Sequence, residues 1–380
     1  MTEAVVPFTL NVPEQTIEDL RSRLARTRWP DREVVPDWSQ GAPLAGIQAL
    51  CDYWANRYDW RRCEARLNAL GQFRTTIDGL GIHFLHVRSP NPEAMPLLLT
   101  HGWPGSVVEF LDVAGPLNDP AAHGGAASDA FHLVIPSLPG YGFSDKPTTV
   151  GWGVERIAAA WITLMKRLGY DRFVAQGGDW GAAVTTAIGA INPPECLGIH
   201  LNMPIVQPPT EEVADLTERE KTAMASLASF YEHETGYSKQ QGTRPQTLGY
   251  GLTDSPAGQA AWIYEKFHAW TDNDGTPESA VNLDRMLDNI TVYWLTASAT
   301  SSARLYWESL TSSFNGRSLD LPVGVTIFPK EIMRPSRRLA ERRFSNIIHW
   351  NEVSAGGHFA ALEEPEVFIS EIRDCVRPLR

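Results

Sequence analysis

Residues 172–189, RFVAQGGDWGAAVTTAIG, constrain the fold more strongly than any other part of this chain. A short apolar run, FVA, leads into the glycine-rich turn GGDWG and then into an alanine-rich stretch that favours a helix. Glycines beside the turn matter because a sharp strand-to-helix reversal leaves no room for Cβ atoms. The pattern predicts a strand, a tight turn and a helix, with Asp179 at the tip of the turn as the candidate nucleophile.

Two other interpretations of this turn remain open at this point. The turn could simply join a strand to a helix, with the aspartate capping the helix. It could instead cradle the phosphates of a dinucleotide, but the pattern G-x-G-x-x-G ending at Gly181 requires glycine where Gln176 stands. The rest of the chain has to decide between them.

Eight apolar segments predict the strands of one sheet. The first two, 73–78 and 82–89, alternate in polarity around Gly79-Leu80-Gly81 and indicate a β-hairpin. The others are mostly continuous apolar runs with helical patterns between several of them, which favours a mostly parallel eight-stranded α/β sheet covered on both faces. These runs are 96–101, 131–136, 172–177, 197–202, 323–328 and 346–353.

Two helix-rich regions flank or interrupt this sheet. Helical spacing at 14–28 and 43–57 predicts an N-terminal helical segment that packs on the core and the cap. The stretch between 202 and 323 is too long for a crossover, so we expect a helical cap inserted between strands six and seven, over the carboxyl edge where ligands bind. The predicted units are 1–70 (N-terminal segment), 71–203 (first part of the core), 204–317 (cap) and 318–380 (second part of the core).

A second glycine-rich turn, HGWPGS, follows the strand PLLLT. Hydrolases with this order of strands use the corresponding turn to supply a backbone N–H to the oxyanion hole, and the other N–H comes from the residue after the nucleophile. We therefore expect Trp103 and Trp180 to supply the two N–H groups.

The base and its acid partner are expected after the last two strands. His358 lies in SAGGHFA, after the final strand, which is the position and chain order of the base in a hydrolase triad. Glu331 is the first carboxylate after strand 323–328 and would orient the imidazole, whereas Asp320 precedes that strand. The sequence thus predicts an Asp179, Glu331 and His358 triad.

An aspartate nucleophile changes the chemistry from that of serine. The carboxylate of Asp179 is ionised near neutral pH and attacks an sp3 carbon directly, which gives an alkyl ester. A water activated by His358 would then hydrolyse this ester. Epoxides and haloalkanes both suit the scheme. Tyr237 and Tyr306 in the cap could protonate an epoxide oxygen, but their spacing alone is equally typical of core packing.

Charge and cysteine content narrow the class of protein. The net charge of −12 argues against a nucleic-acid or anionic-membrane surface. No signal peptide or membrane-spanning apolar run is recognisable. We expect no metal and no cofactor, a cytoplasmic soluble protein, and a homo-oligomer as one allowed assembly. Four scattered cysteines lack zinc or disulfide spacing and indicate a reducing compartment: Cys51, Cys63, Cys196 and Cys375.

Motifs along nearly the whole chain occur together in one family. They include RLARTRWPD, HGWPGS, PSLPGYGFSDKP, GGDWGA, LTASATSSARLYWESL, FPKEI and GGHFAALEEP. In this set and order the chain resembles the microsomal-type epoxide hydrolases of the α/β-hydrolase superfamily. The resemblance implies that Asp179 is the nucleophile, that Glu331 and His358 form the charge-relay pair, and that Tyr237 and Tyr306 are the acids that activate the epoxide.

The sequence therefore predicts a cofactor-independent enzyme that uses water to open an epoxide to a vicinal diol. A haloalkane dehalogenase is the alternative, and a binding protein without turnover is disfavoured because nucleophile and base are both present. Three aromatic residues of the predicted cap are candidates for contact with the substrate: Trp262, Phe267 and Trp270.

Overall fold

The computed structural model describes residues 3–206, 215–310 and 318–380. Its described residues form a nine-stranded sheet in the order β1-β2-β3-β5-β4-β6-β7-β8-β9, with β4 to β9 parallel and β1 to β3 added antiparallel. The strands are β1 (Val6–Phe8), β2 (Gln72–Ile77), β3 (Leu80–Val87), β4 (Met95–Thr100), β5 (Phe131–Pro136), β6 (Phe173–Gly177), β7 (Cys196–Leu201), β8 (Val323–Ile327) and β9 (Ile347–Glu352).

All eight predicted strands are present, and the α/β class is confirmed. The ninth strand, β1, was missed in a segment predicted to be helical. It has only three residues and pairs with the edge of β2, where Val6 faces Arg74. The hairpin turn also lies earlier than predicted. Its two residues are Asp78 and Gly79, both with positive φ, as a two-residue type I′ turn requires.

Six α-helices of the described residues lie between β1 and β7 along the chain. Each larger one buries a stripe of apolar residues at helical spacing, as Ile17, Leu20 and Leu24 do in the first. They are α1 (Glu14–Ala25), α2 (Leu44–Asn56), α3 (Trp60–Ala69), α4 (Ala114–Asn118), α5 (Val154–Arg167) and α6 (Asp179–Ile191).

Among the described residues, six further α-helices lie between β7 and β8, inside the range predicted as the cap. A single π-helical turn, Phe230–Glu234, joins the first two of them. The predicted range 204–317 includes 207–214 and 311–317, which lie outside the described residues. The helices are α7 (Glu218–Ser229), α8 (Gly236–Thr243), α9 (Pro245–Asp254), α10 (Pro256–Trp270), α11 (Leu283–Leu295) and α12 (Ala299–Ser309).

The N-terminal helices pack on the inserted ones. Helices α1 and α2 contact α10, and α3 contacts α11. Buried polar contacts fix this arrangement. The indole Nε1 of Trp54 donates to Thr291 Oγ1 at 2.9 Å, and the hydroxyl of Tyr58 donates to Asp288 Oδ1 at 2.8 Å. These contacts hold residues 14–69 against helices α10 and α11.

Three short or terminal helices complete the described chain: α13 (Arg337–Ala340), α14 (Ala360–Glu363) and α15 (Pro365–Val376). Helix α15 contacts β7 and β9. None of the helices in the described ranges has the length and apolar character that a bilayer crossing demands.

Candidate active site

Asp179 lies at the sharp turn between β6 and α6. Its φ is +51°, in the left-handed region that residues other than glycine rarely adopt. The strained turn points the carboxylate away from the sheet at its carboxyl edge, next to the N-terminus of α6, where the helix dipole stabilises negative charge. The predicted strand, turn and helix are therefore present, and the turn presents a carboxylate.

Three glycines allow this turn to pack closely. A Cβ on Gly177 would collide with the carbonyl of Gly181, and a Cβ on Gly181 would collide with the carbonyl of Thr100 at the end of β4. A Cβ on Gly102 would collide with the Asp179 carboxylate itself. The glycines of the GGDWG and HGWPG motifs thus bring the two turns into direct contact.

The two turns also share a hydrogen bond. The backbone N–H of Trp103 donates to Asp179 Oδ1 at 2.7 Å. Trp180 lies in the first turn of α6, where main-chain N–H groups point toward the N-terminal end of the helix. Both tryptophans named from the sequence therefore lie beside the carboxylate, and the N–H of Trp103 already bonds to one of its oxygens.

His358 lies between two carboxylates. Its Nε2 is 3.4 Å from Asp179 Oδ2, and its Nδ1 is 2.7 Å from Glu331 Oε1, which also accepts a hydrogen bond from the N–H of Ile332 at 2.6 Å. Burial alone would lower the pKa of His358, but the charges of Glu331 and Asp179 outweigh it and raise the pKa well above its usual range. The structure thus brings the three predicted triad residues together.

Tyr237 and Tyr306 come from α8 and α12 and lie above the same carboxylate. Their ring centroids are 5.8 Å apart, and Trp103 stacks on Tyr237 at 5.0 Å while Trp180 meets Tyr306 edge-on at 4.8 Å. Burial and the negative charge of Asp179 raise the pKa of both tyrosines above the usual value. Both phenols therefore hold their protons at neutral pH and are able to donate them.

A cavity of about 490 Å³ opens in front of Asp179. This size is typical of pockets for small organic ligands. Most of its wall is apolar, apart from Asp179, the two tyrosine hydroxyls and a few polar groups such as Lys239. Its lining includes Trp180, Met203, Ile205, Phe230, Tyr237, Tyr306, Leu310, Ile332 and Met333.

The three aromatic residues predicted to contact a substrate do not line this cavity. Trp262 donates from Nε1 to Gln241 at 3.3 Å. Phe267 stacks on Phe359 at 4.4 Å, and Trp270 packs edge-on against the imidazole of His358 at 4.9 Å. Trp270 thus packs against His358, and Phe267 packs against the residue that follows it.

The apolar residues that do line the cavity were missed. Met203 and Ile205 follow the end of β7, and Ile332 and Met333 directly follow Glu331. Their signal was available in the sequence, because residues just beyond a parallel strand lie at the edge where ligands bind. Phe230 and Leu310 carry no such signal, because they reach the cavity only through the packing of the inserted helices.

The order of the sheet strands and the turn that holds Asp179 are those of the α/β-hydrolase fold, and a family model for this fold matches residues 95–247. Residues 5–110 match the model described as the epoxide hydrolase N terminus. A Stigmatella aurantiaca protein named "Putative epoxide hydrolase" is 58% identical over 99% of this chain and 86% of its own. Epoxide hydrolase 1 of Sus scrofa is 34% identical over 98% and 88%.

Solved structures agree with these relatives. The juvenile hormone epoxide hydrolase of the silkworm Bombyx mori has a TM-score of 0.92 and 30% identity over 100% of this chain and 95% of its own. The Aspergillus niger epoxide hydrolase has a TM-score of 0.89 and 31% identity over 99% and 97%. The chain therefore belongs to the epoxide hydrolase family and is a hydrolase that acts on the ether bond of epoxides. The resemblance seen in the motifs is confirmed.

Proposed function

We propose that the enzyme opens an oxirane to a vicinal diol through a covalent ester on Asp179. Asp179 Oδ2 attacks a ring carbon, and the C–O bond of the ring breaks. Tyr237 and Tyr306 hydrogen-bond to the departing oxygen, and one of them gives it a proton. Support comes from the presence of both tyrosines in the wall of the cavity at Asp179 and from Oδ1, which already accepts the N–H of Trp103.

The ester is then hydrolysed with His358 as the base. Esterification removes the charge of Asp179, one of the two carboxylates that raise the pKa of His358. The pKa of His358 therefore falls when the ester forms. The imidazolium loses its proton through solvent to the tyrosinate, and the neutral imidazole can then accept a proton from water. Glu331, bonded to Nδ1, stabilises the imidazolium that results.

Protons and oxygens balance over the two steps. The water oxygen bonds to Cγ of Asp179 as a proton moves to His358, and the N–H groups of Trp103 and Trp180 stabilise the oxyanion. The bond from Cγ to the alkyl oxygen breaks, and that oxygen takes the proton from His358. Asp179 keeps the water oxygen, and the proton of its new carboxyl group passes to His358, which restores the resting imidazolium and carboxylate.

The observation that carries this proposal is that the Asp179 carboxylate lies 3.4 Å from His358 Nε2 and lines the same cavity as both tyrosines. The test is one turnover of excess enzyme with styrene oxide in H₂¹⁸O. The first diol should contain only light oxygen, because its new hydroxyl comes from Asp179. Heavy oxygen in that first diol would contradict the covalent route and indicate direct attack by water.

The region 204–317 acts in this proposal as the cap that carries both phenols and part of the apolar wall. The preferred epoxide then has an apolar substituent that fits the 490 Å³ cavity. The four cysteines are all unpaired and buried, which supports work in a reducing compartment such as the cytoplasm.

A further inference from the structure

A second, much smaller cavity lies on the other side of Asp179. It has about 20 Å³ of space open to water, which is enough for about one water molecule. Asp179 and His358 both line it, and the rest of its wall includes Phe110, Phe359 and Phe368. Among the described residues, Asp179 is the only one that lines both this cavity and the 490 Å³ cavity.

Two residues in the wall of the small cavity carry buried polar atoms that no described residue satisfies. Gln176 and Thr100 are buried and line it, and Gln176 Oε1 and Thr100 Oγ1 have no hydrogen-bond partner within the described ranges. The amide nitrogen of Gln176 is occupied by Asn202 Oδ1 at 2.7 Å, which leaves its oxygen as the available acceptor. A cavity with such groups and room for one water suits an ordered water.

Glu109 is the one acidic side chain besides Asp179 that lines this cavity in the described part of the chain. It lies in a 3-10 turn, Val107–Phe110, just after the HGWPGS motif. Its carboxylate folds back over Gly105, where any Cβ would collide with it. The glycine therefore allows the carboxyl to lie at this wall, and the reaction described so far gives Glu109 no role.

We propose that the small cavity holds the water that hydrolyses the Asp179 ester, and that Glu109 positions this water as a hydrogen-bond partner. The inference rests on the proposed covalent route. Water in this cavity reaches Asp179 from the side of His358, while the alkyl group occupies the 490 Å³ cavity. Glu109 and His358 Nε2 hold its two O–H groups, one of which transfers its proton to Nε2 as the oxygen bonds to Cγ.

The charges around Glu109 suit this role. Desolvation raises the pKa of Glu109 to about 8, His358 opposes this, and the negative charge of Asp179 adds to it. Esterification of Asp179 removes that negative charge. The imidazolium of His358 loses its proton at the same stage, so the two changes act on the pKa of Glu109 in opposite directions. In either protonation state Glu109 keeps a carboxyl oxygen that accepts an O–H of water.

The test separates the two chemical steps with styrene oxide as the probe. Rapid quenching followed by intact-protein mass spectrometry measures the rate at which the ester forms and the rate at which it disappears. In Glu109→Leu the ester should form within about twofold of the parent rate and disappear at least about tenfold more slowly, the effect of one lost hydrogen bond or more. Glu109→Ala carries the same expectation if the leucine variant does not fold.

Glu109→Gln is the matched control, because it keeps the shape and a hydrogen-bonding head. Its ester should disappear faster than that of Glu109→Leu. Equal loss in both steps would indicate a structural role and overturn the proposal, as would unchanged hydrolysis in the leucine and alanine variants. The H₂¹⁸O experiment on the parent keeps the two proposals distinct, since heavy oxygen in the first diol rejects the covalent route itself.

Discussion

Tyr237 and Tyr306 can each be replaced by phenylalanine with the loss of a single oxygen atom. Because both phenols face the same departing oxygen, each single variant should form the ester about tenfold more slowly, and the double variant at least about a hundredfold more slowly. Hydrolysis of the ester should be unchanged, since His358 catalyses that step. Rapid quenching followed by intact-protein mass spectrometry measures the rates at which the ester forms and disappears.

Tyr250→Phe is the control for these variants, because Tyr250 is 71% exposed. It should leave both rates at the parent values. An ester that forms at the parent rate in the Tyr237 and Tyr306 double variant would remove the phenols from the mechanism.

Lys266 is a buried cation behind one of the phenols. Its Nζ lies 4.5 Å from the ring centroid of Tyr237 and 2.8 Å from Glu265 Oε1. A cation at this distance stabilises the negative charge that develops on Tyr237 as it gives up its proton. Lys266→Met should slow ester formation about fivefold, the equivalent of about 1 kcal/mol.

A double-mutant cycle checks this prediction about Lys266. In a Tyr237→Phe background the ring is present but no phenolate forms, so Lys266→Met should no longer slow the ester-forming step. An equal effect in both backgrounds would mean that Lys266 acts by packing alone.

At the scale of elements, the ion pairs between α3 and α11 fix the N-terminal segment to the inserted helices. Asp288 on α11 is 1% exposed and meets Arg62 at 3.1 Å and Arg285 at 3.2 Å. Arg62 also pairs with Asp284, and Arg285 with Asp112. Asp288→Asn therefore removes the buried charge but leaves each arginine one partner, and should lower the free energy of unfolding by about 2 kcal/mol. Urea unfolding measures the change.

The exposed pair of Arg337 and Glu341, at 3.0 Å, is the control for that prediction. Glu341→Gln should change the free energy of unfolding by less than about 0.5 kcal/mol, because solvent screens both groups. A loss in Asp288→Asn no larger than in this control would show that the α3 and α11 contact contributes little.

The elements of the sheet were predictable because buried parallel strands appear as continuous apolar runs. Strand β1 was not, since three residues with one partially buried side chain leave no pattern. The triad was predictable for a related reason: Asp179, Glu331 and His358 each follow a recognisable strand, and parallel strands end at the same edge. Glu109 does not directly follow a strand. It lies beyond the HGWPGS turn and reaches the site only because its own turn folds back over Gly105.

The aromatic residues show the limit of reasoning from composition. The apolar stripe of α10 does not show which element the helix faces. Phe267 and Trp270 were therefore candidates for contact with the substrate, although they pack against Phe359 and His358. Which face of an inserted helix meets the cavity depends on how α8, α10 and α12 pack on one another, and that information is not local in the sequence.

At the scale of the whole molecule, buried histidines make stability depend on pH. His83 bonds to Ser137 and Gln72 at 2.9 Å, and burial lowers its pKa to about 3. It stays neutral in the folded state while the unfolded state takes up a proton below about pH 6.5. Its contribution to stability is therefore present above pH 6.5 and is lost as the pH falls toward 3.

This dependence of stability on pH predicts how a variant of His83 behaves. His83→Gln lowers Tm at pH 7.5, and the difference in Tm from the parent should shrink at pH 5.5, where the parent alone pays the cost of keeping His83 neutral. Differential scanning fluorimetry measures both values. His233→Gln, at a side chain that is 66% exposed, should show the same Tm difference at both pH values.

Among the described residues, Asp179 alone lines both cavities, and this separates the choice of epoxide from the fate of the ester. Residues such as Met203 and Phe230 decide which substituent fits, whereas every ester meets water from the same enclosed side. A series of epoxides should therefore differ widely in kcat/KM and converge on one kcat, set by an ester hydrolysis that is indifferent to the alkyl group. Widening the larger cavity would broaden the range of substrates without raising that common ceiling.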